Sequence, residues 1–115
     1  MSVRLIDLMM ANAITQNGTE YSIAVDLSMY DTKNWKFGLR ATHAGASSTR
    51  TVTIQNANQN VDANFTSGAA VETTSAVGTA YTDISTSVKP SKFIRFSVLA
   101  SSGSITSIDL QLAIG

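Results

Sequence analysis

Over much of the chain, apolar and polar residues alternate one by one. Near the C-terminal end, Ile108, Leu110, Leu112 and Ile114 fall on one side, and Ser107, Asp109, Gln111 and Ala113 on the other. Successive side chains of an extended strand point to opposite faces, so this pattern predicts a strand with one dry face and one face toward water or a partner. Lys92 to Ala100 has the same rhythm, and the Ser101–Ser104 turn joins the two segments into what reads as a closing hairpin. Earlier, Tyr21, Ile23, Val25 and Leu27 alternate with Ser22, Ala24 and Asp26. Trp35, Phe37, Leu39 and Ala41 alternate with Lys36, Gly38, Arg40 and Thr42, and Val52 and Ile54 with Thr51, Thr53 and Gln55.

Turn chemistry separates these runs. Asn17-Gly18 favours positive φ and predicts a hairpin between the segments on either side. His43 to Ser48 reads as a flexible turn, and Val88-Lys-Pro-Ser is marked by the only proline. Val3 to Ile14 is apolar on both faces and fits a strand or a helical stripe; an extended arm or first strand over residues 1–12 is the preferred reading. Residues 56–77 are rich in Asn, Ala, Ser, Thr and Gly. A structureless loop of that length is unusual in a compact domain, so a short strand there, or packing against a neighbour, is expected, with Val61, Phe65 and Val71 as anchors. Thr79 to Thr86 reads as one more strand through Tyr81 and Ile84. About seven or eight short strands with frequent turns predict an all-β, single-domain antiparallel β-sandwich over residues 13–115, jelly-roll-like in kind.

Composition narrows the function. Charged residues make up 14% of the chain and the formal net charge is zero, with no basic cluster. A groove that tracks phosphates, and with it a nucleic-acid partner, is not expected. Ser and Thr form roughly a quarter of the residues, which suits polar faces that pack closely without charge repulsion. The chain has no cysteine, which removes disulfides, thiol catalysis and thiolate metal sites together. No apolar run is long enough to span a bilayer, and the N-terminal segment, interrupted by Arg4 and Asp7, makes a poor signal peptide; no membrane partner and synthesis in a cytoplasm are expected.

Chemistry-bearing residues are sparse. His43 is the only histidine and sits beside Gly, Ala and Ser, so a solvated loop residue is a simpler reading than a catalytic relay. Asn56 to Asn64 spaces Asx residues like a calcium loop, but Asp62 is its only carboxylate. Asp26, Asp31, Asp62, Glu72, Asp83 and Asp109 are dispersed, and no facing acid pair for glycoside chemistry is legible. Trp35, Tyr21, Tyr30 and Tyr81 could form a sugar platform, although Trp35 shares its phase with Phe37 and Leu39 and reads as core. No enzyme activity, metal or cofactor is expected.

The order of segments Val25–Tyr30, Trp35–Thr42, Thr51–Asn56, Phe93–Val98 and Ser107–Leu112 resembles that of small β-sandwich domains in tailed-phage virions, the capsid decoration or cement proteins. That resemblance implies a structural protein on the outer capsid surface. It implies a homo-oligomer, with a trimer favoured, that binds the major capsid protein and stabilises the shell. On this reading Leu5, Ile6, Leu8, Met9 and Met10 are the candidate interface, with closure of the core as their alternative role. A carbohydrate-binding module of a phage fibre, or a tail or baseplate subunit, is the competing function.

Overall fold

The computed structural model describes residues 4–29, 37–45, 47–75, 77–84 and 92–115. Nine strands run through them: β1 (Arg4–Ile14), β2 (Thr19–Tyr21), β3 (Val25–Asp26), β4 (Phe37–Ala44), β5 (Thr49–Ala57), β6 (Thr66–Thr74), β7 (Gly78–Asp83), β8 (Phe93–Ser101) and β9 (Ile105–Ile114). Short 3-10 turns lie at Leu27–Met29 and Asp62–Asn64. The expected turn at Val88–Ser91 and the side chains of Tyr30, Asp31, Trp35 and Lys36 lie outside the described residues.

The strands form two antiparallel sheets. The first has the order β1-β9-β4-β7, the second β2-β8-β5-β6, with β3 also on β8. Both β2 and β3 line the same edge of β8, at Ser97–Leu99 and Phe93–Ile94. They are two pieces of one edge strand, which leaves eight strand positions. Consecutive positions alternate between the sheets except at β5–β6, and this is the strand order of a jelly roll.

Two expected hairpins are therefore corners. β1 pairs with β9 and β2 with β8, so the Asn17-Gly18 turn passes from one sheet to the other. Likewise β8 and β9 lie in different sheets, and the Ser101–Ser104 turn crosses the sandwich. The two corners brace each other. Asn17 N donates to Ala100 O at 2.7 Å, Ala100 N to Gly18 O at 3.1 Å, and Gln16 N to the Ser104 hydroxyl at 3.0 Å. Asn17 takes φ 65°, as its turn chemistry favours. Alternation specifies a half-buried strand but not its neighbour, because pairing and facing across a core leave the same pattern.

The core lies between the inner faces. Phe37, Leu39, Ala41, Ile108, Leu110, Leu112 and Ile114 meet Val52, Ile54, Ile94, Phe96, Val98 and Ala100, all buried. Fully burying one such side chain contributes about 1.5–3 kcal/mol. The doubly apolar N-terminal segment is explained by a β-bulge. Asp7 opposes Gln111 and Met9 opposes Leu110, so Leu8 is an extra residue, and Leu8 and Met9 both turn inward. A second irregularity at Met10–Ala11 holds Ala11 at φ 53°, with its N–H bonded to the Asp109 carboxylate at 2.9 Å. The break between β2 and β3 changes phase as well: Ser22 is buried while Tyr21 and Ile23 are exposed. Of the expected anchors in the 56–77 segment, Val71 packs on the core and Phe65 is half-buried, whereas Val61 is exposed.

The four sheet edges differ. β1 and β6 carry register shifts, and the β2/β3 edge is interrupted. β7 pairs with β4 residue for residue, from Gly38 opposite Asp83 to His43 opposite Gly78.

Candidate interaction surfaces

The outer face of the second sheet is paved with short hydroxyl side chains. Thr51 stands between Thr73 and Leu99, and Thr53 beside Ser97, which in turn faces Tyr21. At one end Arg95 acts as a clamp. Its guanidinium lies 4.4 Å from the Tyr21 ring centre and 4.1 Å from that of Phe65. Its Nε donates to Gln55 Oε1 at 2.7 Å and its Nη1 to Asp62 Oδ1 at 2.6 Å. The Asp62 side chain is 94% exposed, so that ion pair adds little alone; stacking between two rings supplies much of the hold. The clamp pins the loop between β5 and β6 onto the sheet. The loop's Asx residues serve the same end, with Asn64 Nδ2 bonded to Gln59 Oε1 at 3.0 Å and Asp62 spent on Arg95.

The outer face of the first sheet is built in rows. Leu5, Ala113, Gly38 and Asp83 form one, Asp7, Gln111, Arg40 and Tyr81 the next, then Asp109, Thr42 and Thr79. Gln111 Nε2 donates to Asp7 Oδ1 at 3.1 Å, and the Thr42 and Thr79 hydroxyls meet at 2.8 Å. Tyr81 projects from the end of its row, 79% exposed.

The bulge in β1 divides the five candidate interface residues. Leu8 and Met9 lie in the core, and Ile6 packs partly against it. Leu5 and Met10 remain at the surface, 64% and 70% exposed. Exposed Ile23 is tied to the same edge by its N–H, which donates to Leu8 O at 3.2 Å.

His43 corrects the reading as a solvated loop residue: it is 1% exposed, on β4, in phase with Leu39 and Ala41. Its Nδ1 accepts a short hydrogen bond from Arg50 Nη1. Arg50 is itself fully buried, and its side chain also donates to Gly78 O at 3.0 Å and to both oxygens of Glu72. Desolvation first, then the neighbouring Arg50 charge, hold the His43 pKa below its ordinary value. With Nδ1 accepting, the ring proton sits on Nε2, which is buried without a partner among the described residues. This arrangement ties the start of β7 to β4 and β5. Sequence reasoning missed Arg50 and Glu72, although Arg50 shares the inward phase of Val52 and Ile54. Of the other described acids, Asp26 binds Ser28, Asp62 binds Arg95 and Asp109 binds the Ala11 amide.

No protein-family profile and no curated sequence matches the chain significantly. Among the solved structures that share the fold, two illustrate the likeness. The crystal structure of the PBSX exported protein XepA aligns with a TM-score of 0.67 at 16% identity, over 97% of this chain and 37% of that one. The SPBc2 prophage-derived protein YomS aligns with a TM-score of 0.55 at 10% identity, over 100% of this chain and 96% of that one. The chain thus spans little more than a third of XepA and nearly all of YomS. Its all-β sandwich is a fold found in prophage-derived proteins.

Proposed function

We propose that the protein is a non-enzymatic structural component of a phage particle, a cement protein that docks on the outer capsid surface as a homo-oligomer. The observation that carries this reading is the character of the sheet faces. The outer face of the second sheet is rich in short hydroxyl side chains and poor in charge, and the fold that presents it occurs in prophage-derived proteins. Such faces approach another protein with little desolvation of charge. Exposed Leu5, Met10 and Ile23 on the β1 edge supply the apolar contacts toward the capsid protein. Linking several weak contacts in one oligomer raises the effective concentration at a repeating lattice and stabilises the assembled shell by mass action.

Co-sedimentation with capsids of the phage that encodes the chain tests this. The protein is expected to pellet with assembled capsids, not with free capsid subunits, and to stay bound at about 0.5 M salt because few charges take part. Leu5→Asp with Met10→Asp is expected to abolish pelleting while leaving the thermal melt unchanged. Absence of capsid binding in the unaltered protein refutes the reading, and a selective signal on a glycan array would replace it with the fibre-module function.

A further inference from the structure

Three of the four sheet edges are blunted by bulges or a break, as natural edges commonly are. β7 is the exception. It is regular, contains no proline and carries one charge, Asp83, at its end. Among the described residues no strand pairs with its outer side. Ile84 N donates to Phe37 O at 2.9 Å, which makes these residues a hydrogen-bonded pair. Bonded and non-bonded pairs alternate along an antiparallel ladder. Ala80 and Thr82 therefore turn their amide groups toward β4, and Thr79 and Tyr81 turn theirs away. The strand is also held firmly: Arg50 binds Gly78 O, the Thr79 hydroxyl meets Thr42, and buried Ile84 closes the far end. An edge fixed in this way loses little freedom when another strand is added.

We propose that β7 is the seam of a two-fold homodimer, in which β7 strands of two copies pair antiparallel and join their first sheets into one continuous sheet. A second copy fits because the strand is self-complementary. A two-fold axis normal to the sheet keeps outer side chains on the outer face, so odd-numbered residues must oppose odd-numbered ones. Centring the axis on Tyr81 sets Tyr81 against Tyr81, Ala80 against Thr82 and Thr79 against Asp83. No like charges meet, and the most exposed aromatic of the described residues gains an aromatic cross-strand partner. This inference gives the homo-oligomer of the capsid reading a specific seam, but it concerns the free protein and is tested without capsids.

Sedimentation velocity across a concentration series, with three variants, tests it. The unaltered protein is expected to pass from monomer to dimer as concentration rises. Tyr81→Lys loses the aromatic pair and opposes two cations, which raises the dissociation constant about tenfold or more with an unchanged circular dichroism spectrum. Tyr81→Cys introduces the sole thiol in a chain without cysteine. The Cα atoms of a bonded antiparallel pair lie about 5.5 Å apart, within disulfide range, so mild oxidation is expected to trap a dimer. Leu99→Cys, exposed on the other sheet, is expected to stay monomeric under the same oxidation. The proposal is overturned by an unaltered protein that is monomeric throughout, by a dimer that Tyr81→Lys leaves intact, or by Tyr81→Cys cross-linking no faster than Leu99→Cys.

Discussion

At the scale of single residues, the inward-facing Arg50 places a full charge against the core. It is tolerated because Glu72, Gly78 O and His43 Nδ1 take up its donors. Removing one partner of a buried ion pair leaves the other uncompensated. Arg50→Ala is therefore expected to cost about 3–5 kcal/mol in urea denaturation, while joint replacement of Arg50 by Met and Glu72 by Leu costs much less. His43 gives the fold a pH dependence. In the unfolded chain it takes up a proton near the ordinary value of 6.5, and in the folded state only at lower pH. Between those values the unfolded state binds more protons. His43's contribution is thus present in full above pH 6.5 and lost on acidification, by up to about 1.4 kcal/mol per pH unit. His43→Asn keeps an acceptor for Arg50 but does not titrate. It is expected to flatten the stability profile on acidification below pH 6.5, and a parallel decline in both proteins would contradict this account.

Among the elements, β1 shows how a single inserted residue sets exposure. The bulge turns Leu8 into the core and leaves Leu5 outside. Leu8→Ala is expected to destabilise by about 2–5 kcal/mol and Leu5→Ala by less than about 0.5 kcal/mol, measured by chemical denaturation. A reversed order would mean that the register of β1 on β9 is different. The strands themselves were legible in the sequence wherever alternation ran without interruption, as in Ile108–Ile114, where every inward side chain is buried as its phase requires. Bulges were not legible, because an extra residue looks like a lapse in the pattern rather than a feature of it; Leu8–Met9 and Tyr21–Ser22 are the cases. The turns at Asn17-Gly18 and Ser101–Ser104 were recognised as turns, yet the strands they join were wrongly paired with each other. Gly45 illustrates why. Its φ of 138° and the 2.6 Å approach of Ser104 O to a would-be Cβ come from the corner packed beside it, which residues 43–48 do not encode. At the candidate surfaces, the split of the N-terminal residues depended on that bulge, and the Arg95 clamp on a loop docking that composition does not announce.

For the molecule as a whole, the two sheets have little independence. With β2 and β3 taken as one edge strand, the path changes sheet at every connection except the one between β5 and β6. A nascent chain leaving the ribosome therefore has almost no self-contained piece to complete early, since β1 must wait for its partner β9, far along the chain. Topologies dominated by such distant pairings cross their barrier in milliseconds to seconds rather than microseconds. Stopped-flow refolding is expected to show this slow rate with equal denaturant midpoints for fluorescence and circular dichroism, so that proteases and chaperones meet either the finished sandwich or an open chain.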